Sequence, residues 1–440
     1  MQKKFFLMLL VFYYSFLLVS GLTLDEAINK AYVNNLQIKI SEENVNIANE
    51  DLLLSITNFF PKVTSTGTFV RLDTVPTTYV NTALGPMRIK VGEQNNYSLD
   101  VKLSQPVFLG GKLILGYMVS KDRLQMSKIE LEKAKRDIKF SVIQLYLSIK
   151  LFDQMIDVNK KIIDAKENHY KVTLSKYNLG TSSKLEKLSS EVDFENSKIE
   201  LKNLIKQRDN LLNSLKFLLG MDIKDSIILT DSLSFITVDK FDTLGLDSLT
   251  KEKLLDICFK NKSELRNLEI SKNISKKATL LNSSSFIPNV AFFTSYNYKN
   301  YYSYISDSSY FDGSYNLGVS VNLDLFSGGS RVLNILKSKK QEKQVNMSYL
   351  LLKERIPVDL ELLIKNYENS QENLKIFEKT VDLSKEAYLT ATEQYNRGII
   401  SNVDYIDAET KYINAQVGYL KSIYDIIINK LSILNYLGVL

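Results

Sequence analysis

The chain has 440 residues, of which 45% are apolar, 24% charged and 10% aromatic. That balance is too apolar for a disordered chain and too charged for a polytopic helical membrane protein. A formal charge of +6, spread over 56 basic and 50 acidic residues with no dense basic patch among aromatics, argues against nucleic acid as a partner.

One cysteine, Cys258, and one histidine, His169, leave no internal disulfide, no Cys/His metal cluster and no Cys–His nucleophile pair. Cys258 lies in the apolar stretch Leu254-Leu255-Asp256-Ile257-Cys258 and reads as a small core residue. His169 lies in a charged helical run and reads as a solvated helix position.

Residues 1–21 read as a secretory signal. Lys3 and Lys4 precede an apolar run from Phe5 to Val19, and Val19-Ser20-Gly21 offers a cleavage site. The run falls short of the roughly 20 residues of a spanning helix, and no cysteine follows it for lipid attachment. No other stretch is long and apolar enough to be a membrane helix. An exported chain of this kind crosses a membrane only with strands.

The remaining chain is a duplicated unit. Leu22-Thr23, Asn34 and Phe60-Pro61-Lys62-Val63 match Leu249-Thr250, Asn261 and Ile287-Pro288-Asn289-Val290 at a spacing of 227. Phe108-Leu109-Gly110-Gly111, Tyr177-Asn178-Leu179-Gly180, Glu191 and Leu219-Gly220 match Phe326-Ser327-Gly328-Gly329, Tyr395-Asn396-Arg397-Gly398, Glu409 and Leu437-Gly438 at 218. The first half is therefore nine residues longer, all between Val63 and Phe108. These spacings predict one unit over 22–220, a linker over 221–248 and a second unit over 249–440. The period is too long for a solenoid.

Each unit reads helix, strand, strand, helical hairpin. Helical periodicity runs from Leu22 to about Phe60, with Thr23-Leu24-Asp25-Glu26 as a capped start. Pro61 and Pro288 end the first helix of each unit. Strands are expected near 63–71 and 97–107, and near 290–299 and 315–325. Tyr97, Leu99, Val101 and Leu103 alternate with Ser98, Asp100 and Lys102, and Tyr315 to Leu325 alternates in the same way. Such a period fits a tilted membrane strand and also a soluble sheet with one wet face. Tyr296, Tyr298, Tyr301, Tyr302, Tyr304, Tyr310 and Tyr315 crowd one strand pair, as aromatics do at membrane–water interfaces and, through β-propensity, in sheets generally.

Gly110-Gly111 and Gly328-Gly329 mark the strand-to-helix turns, where positive φ is needed. Gly110-Gly111-Lys112 lacks the remaining residues of a phosphate-binding loop. Helical hairpins follow over about 112–219 and 330–437. The series Ile138, Val142, Leu145, Ile149, Phe152, Ile156 and the series Val403, Ile406, Thr410, Ile413, Val417, Leu420, Tyr424, Ile427, Leu431, Leu434 hold a 3.5-residue period, the mark of a coiled-coil seam. The first arm spans roughly 97 Å and its return roughly 54 Å, so the short helix before the strands is expected to stack end to end with the returning helix. Pro357 sits inside the second long arm and is expected to kink it.

Four amphipathic strands cannot close a membrane barrel, whose single-chain minimum is about eight. An open sheet in lipid leaves two rows of unpaired backbone groups, at several kcal/mol each. Either the sheet lies outside a membrane or several chains share one barrel, and three chains would give twelve strands.

These features together resemble TolC-like outer-membrane factors, the outer-membrane efflux proteins of Gram-negative bacteria. The resemblance covers nearly the whole chain after residue 21. It is carried most specifically by Gln105-Pro106-Val107-Phe108-Leu109-Gly110-Gly111, by Leu325-Phe326-Ser327-Gly328-Gly329, and by the second tip, Tyr395-Asn396-Arg397-Gly398-Ile399-Ile400-Ser401-Asn402-Val403-Asp404-Tyr405-Ile406-Asp407-Ala408. It implies an α+β membrane protein: a homotrimer with a 12-stranded β-barrel in the outer membrane, continuous with a 12-helix coiled-coil α-barrel in the periplasm. It further implies a passive duct for tripartite efflux or type I secretion, docked to a periplasmic adaptor and an inner-membrane pump.

The resemblance also implies a tunnel end narrowed by the carboxylates Asp404 and Asp407. Their first-unit counterparts are Glu186 and Ser189, and Ile400 stands where some members carry an Arg of the tip latch. Asp404 and Asp407 are three residues apart and share a helix face near a helix start, which also suits two solvated acids. Tyr177, Gly180, Leu185, Tyr395, Gly398 and Val403 are the expected adaptor contacts, although packing within the subunit would use the same residues. A periplasmic coiled-coil adaptor without membrane strands is the competing reading. No nucleophile–base pair, metal cluster or phosphate loop points to an enzyme, and no cofactor is expected.

Overall fold

The computed structural model describes residues 21–232, 241–242, 244–303, 305–306 and 308–440. The signal expected over 1–21 thus lies outside the described residues except for Gly21, as does Tyr304. In chain order the elements are α1 (Leu24–Asn34), α2 (Leu36–Thr57), β1 (Lys62–Arg71), β2 (Thr77–Thr82), β3 (Gly85–Lys90), β4 (Asn95–Phe108), α3 (Lys112–Asn178), α4 (Lys184–Leu218), α5 (Lys251–Asn261), α6 (Ser263–Ser283), β5 (Asn289–Ser303), β6 (Ser308–Asn322), α7 (Ser330–Asn396) and α8 (Asn402–Leu437). Among the described residues no helix is long and apolar enough to cross a membrane.

The chain divides into two compact units. Of the described residues, one comprises those up to Glu43 together with those within Ile129–Arg266 and Leu350–Leu440; the other comprises those within Asn44–Lys128 and Asn267–Tyr349.

The first unit is helical. Thr23 caps α1 in a capping box with Glu26, as its sequence predicts. The helix expected to run from Leu22 to Phe60 is instead broken at Asn35, which is extended. The Asn35 side chain makes the break: Oδ1 accepts from the backbone of Gln37 at 2.9 Å, and Nδ2 donates to the Leu218 carbonyl at 2.9 Å. A short polar side chain offered both ends of two helices competes with the backbone ladder and wins. Lys262 repeats the break between α5 and α6. The returning helices end against these breaks, as expected of end-to-end stacking: a Cβ on Gly220 would lie 2.9 Å from Asn34, and one on Gly438 would lie 2.9 Å from the Asn261 carbonyl.

Leu24, Tyr146, Leu147, Ile149, Leu215, Leu219, Ile356, Leu360, Ile427 and Leu431 form the core of this unit. Cys258 is fully buried there, in the packing role its sequence context suggests. Tyr146 is a buried staple. Its hydroxyl donates to the Leu22 carbonyl at 2.8 Å and accepts from the Asp231 backbone N–H at 3.1 Å, which holds the Leu22–Leu229 parallel bridge. Burial pushes the Tyr146 hydroxyl up to about 12, with the Asp231 carboxylate adding to it against the pull of the Asp231 backbone N–H. α7 continues through Pro357, with Ile356 and Leu360 packed on either side of it.

The second unit carries the sheet. Four antiparallel strands lie in the order β1-β4-β5-β6. Register places Phe69 opposite Tyr97, Leu99 opposite Tyr298, Val101 opposite Tyr296, Tyr296 opposite Tyr315, and Phe292 opposite Val319. Directly opposed residues share a face, so these make one apolar face. The other face carries Thr66, Asp100, Asn297 and Ser314, in mutual register. The apolar face is exposed: Tyr315 is 80% and Leu317 77% exposed. Neither β1 nor β6 has a partner on its outer edge among the described residues.

Two strand expectations are corrected. The longer strand connection of the first sequence repeat holds an additional hairpin, β2–β3, paired from Thr77↔Lys90 to Thr82↔Gly85. This hairpin occupies the stretch where the first half is longer. The last strand spans Ser308–Asn322 rather than 315–325, because its partner β5 starts at Asn289, opposite Asn322, and the preceding Pro288 has no N–H to extend the ladder. The strand-to-helix glycines all take positive φ, from 61° to 82°. Gly110 also has no room for a side chain, since a Cβ would lie 3.0 Å from Ile287 Cβ and 3.2 Å from the Ser284 carbonyl.

Candidate functional site at the hairpin tips

Both hairpins turn in the helical unit by the same local chemistry. Gly180 and Gly398 each adopt φ +73°. Thr181 N–H donates back to the Lys176 carbonyl at 2.9 Å, and Ile399 N–H to Gln394 at 2.8 Å, closing the arms with a Schellman pattern. Ser183 and Ser401 then cap the returning helices by accepting from the backbone of Glu186 and Asp404.

The acids of the two tips have different duties. Asp404 Oδ2 accepts from the Ser401 hydroxyl at 2.7 Å and from its backbone N–H at 3.2 Å, completing a capping box. Asp407 pairs with Lys411 at 2.6 Å on its own helix. Glu186 reaches across the hairpins: Tyr395 donates to its Oε1 at 2.7 Å, and Ser182 donates to its Oε2 at 2.7 Å. Burial pushes Glu186 up, but the Ser182 and Tyr395 hydroxyls outweigh it and hold the carboxyl below its ordinary value.

The tip residues separate by exposure. Leu185 is 78% and Val403 74% exposed, and Tyr177 is exposed beside them. Tyr395, the counterpart of Tyr177, is 4% exposed, so its side chain is not offered to a partner. Burial, then Glu186, pushes its hydroxyl up to about 12.

Tyr395 opens a column of residues that joins the hairpins. The His169 ring lies 5.1 Å from Tyr395 and stacks on Tyr405 at 4.6 Å, and its Nε2 is 2.7 Å from Asn402 Oδ1. Tyr405 donates to Glu409 at 3.3 Å, and Glu409 pairs with Lys166 at 3.5 Å. Glu409 is 4% exposed, and burial raises its pKa against the pull of Lys166 and Tyr405. Beside it opens a cleft of about 210 Å³, lined in part by Ile162, Tyr388 and Tyr412.

An exposed apolar sheet face with open edges, set in a chain that also bears two matched helical hairpins, leads to comparison with known proteins. The family model described as outer membrane efflux protein matches residues 27–221 and 254–439. The chain belongs to this family. As a member of it, this is an efflux protein of the outer membrane. The competing reading as a free periplasmic adaptor therefore falls. No curated protein sequence matches the chain.

Solved structures of similar fold include the Campylobacter jejuni CmeC outer membrane channel, at 15% identity and TM-score 0.75, covering 94% of this chain and 85% of that one. The outer membrane protein VceC of Vibrio cholerae matches at 13% identity and TM-score 0.74, covering 94% and 96%. The open state of the Neisseria gonorrhoeae MtrE outer membrane channel matches at 14% and 0.73, covering 94% and 88%.

Two expectations about this efflux protein's tip are corrected. His169 is not a solvated helix position: it is half-buried between the two hairpins. Near the tip the buried face of α8 carries Tyr405 and Glu409, whereas Val403 and Thr410 of the 3.5-residue series are exposed. That series becomes the buried face only from Ile427 to Leu434. The packing inside one chain uses a face next to the seam, which leaves the seam's tip end free. A lone histidine nine residues before a helix end gives no sequence signal of the stack; the buried Glu409 is visible only as a match to Glu191, which pairs with Lys187 on its own helix instead.

Proposed function

We propose that three copies of the chain close one 12-stranded β-barrel in the outer membrane, continuous with a 12-helix α-barrel, and that the assembly is a passive duct for tripartite efflux or type I secretion. Each copy would contribute two tandem repeats, 22–220 and 249–440, joined by the segment 221–248. The observation that carries this reading is the four-stranded sheet whose exposed face is apolar and whose outer strands are unpaired. Backbone groups cannot stay unpaired in lipid. Pairing β1 of one copy with β6 of the next satisfies both edges and turns the apolar face to the acyl chains.

At the hairpin turns, Leu185, Val403 and Tyr177 flank Gly180 and Gly398 and offer apolar knobs to the hairpin of a periplasmic adaptor, which an inner-membrane pump would complete. Asp404, Asp407 and Glu186 from each copy would converge on the tunnel end and disfavour anions there. Lys411 neutralises Asp407 locally, whereas Asp404 and Glu186 hold neutral hydroxyl donors and keep their charge, so these two carry most of this field.

Detergent-extracted protein should be a trimer that conducts in a planar bilayer. A water-soluble monomer without conductance would overturn the duct. Replacing Asp404 and Asp407 together by Ala should raise conductance, and an unchanged value removes their gating role. Cross-linking from S182C or S401C to the adaptor tests the docking surface; the native Cys258 is buried and should stay silent.

A further inference from the structure

His169 is the only histidine of the chain, and it sits at the one place where three helices of the two hairpins meet around an imidazole. It extends from α3 between Tyr395 of α7 and Tyr405 of α8. Its Nε2 is spent on Asn402. A proton added to the ring would place a charge on a half-buried imidazole enclosed by two tyrosine rings, a burden that a separated, hydrated tip does not bear.

We propose that His169 is a positioning residue whose protonation loosens the packing of the two hairpin tips, so that the closed end of the duct gives way in mild acid. This rests on the reading of the tips as that closed end.

The charges around the ring do not cancel the effect. Glu186 and Asp193 of α4 favour the imidazolium, while Lys166, on the same helix as His169, opposes it. Tyr395 and Tyr388 of α7 and Tyr405 of α8 enclose the column as neutral rings, and Glu409 of α8 is already engaged by Lys166. Burial exceeds these influences and lowers the His169 pKa from its ordinary 6.5. A closed form that binds the proton less readily than the open form loses weight as pH falls below 6.5. At pH 5.5 the open form gains at most about tenfold, one pH unit being one tenfold step.

Glu409 works in the opposite direction. Its raised pKa means that the closed form takes up a proton more readily, so acid favours closure through this group. Glu186, whose pKa is lowered from 4.5, stays ionised between pH 5.5 and 7.5 and contributes no change there.

The test is hydrogen exchange by mass spectrometry on the full-length assembly in detergent at pH 7.5 and 5.5, corrected for intrinsic rates. Peptides covering 169–186 and 395–409 should lose up to about tenfold of their protection in acid, while those around Tyr146 hold theirs. His169→Phe keeps a ring in the stack but binds no proton, so its tips should not respond. Glu409→Gln removes the opposing group, so its tips should respond more steeply than the wild type. Equal acid responses in the wild type and in H169F overturn the proposal, and so does a flat response in both the wild type and E409Q. Bilayer conductance separates the two layers of inference. If exchange responds and conductance does not, the role of His169 in the tip packing stands and the tips are not the closed end.

Discussion

The Tyr395 hydroxyl donates to Glu186 Oε1 at 2.7 Å and so ties the long arm of the second hairpin to the returning helix of the first. The donor is buried and the acceptor is charged, a combination with a contribution of about 1.5–3 kcal/mol. Tyr395→Phe removes the bond and keeps the ring. It should raise the open fraction of the tip by roughly tenfold to a hundredfold, read as conductance in planar bilayers. Glu186→Gln should give a smaller rise, because an amide still accepts.

The same bond has a pH signature. Glu186 is held below its ordinary pKa, so its contribution to closure is present above pH 4.5 and is lost as pH falls through its lowered value. Conductance of the wild type should therefore climb below pH 4.5, and that limb should flatten in Y395F. An equal climb in both would mean that the hydroxyl does not set the carboxylate.

Gly110 and Gly328 occupy matching turns at φ +61° and +62°, yet only Gly110 is crowded. A Cβ there meets Ile287 and Ser284, whereas one on Gly328 meets nothing within 4 Å. Both Ala variants bear the left-handed backbone cost of about 1–2 kcal/mol. Gly110→Ala adds a clash with backbone that cannot rotate away. Thermal dissociation of the assembly should occur at a clearly lower temperature for G110A than for G328A; equal shifts would show that the turn relaxes.

This pair also shows what the sequence could reveal. The glycine pairs, the tips and the alternating strands were legible because each depends on local rules of φ, capping and period. Matching residues such as Tyr177 and Tyr395 looked equivalent for the same reason. Their difference, one exposed and one buried, arises from which hairpin lies against which, and no local pattern encodes that. His169 departs from a solvated helix position for the same reason: its partners Asn402 and Tyr405 are more than two hundred residues away. The Asn35 break is not legible in the local pattern because half of its support is a hydrogen bond to Leu218, far along the chain.

Leu317 and Asn316 are neighbours on β6 that project from opposite faces of the sheet. If the apolar face meets lipid, Leu317→Arg should cost about 2–4 kcal/mol near the bilayer midplane, while Asn316→Arg should be tolerated. Recovery of assembled protein from the outer-membrane fraction gives the comparison. Equal loss in both variants, or in neither, would contradict the assignment of faces.

Lys166 is the cation that accompanies Glu409 into the hairpin packing, at 3.5 Å and with side chains 16% and 5% exposed. Removing one partner of a buried pair leaves the other uncompensated, at a cost of about 3–5 kcal/mol. Lys166→Met should therefore destabilise the assembly strongly at pH 7.5, and adding Glu409→Gln should recover much of the loss. Burial already raises the Glu409 pKa with Lys166 present, and without the lysine it rises further. A carboxyl whose folded pKa is raised gains stability as pH falls from above that value toward its ordinary 4.5. The deficit of K166M relative to the wild type should therefore shrink between pH 7.5 and 5, while the double variant shows no such recovery. A K166M deficit independent of pH would mean that the lysine stem, rather than its charge, supports the packing.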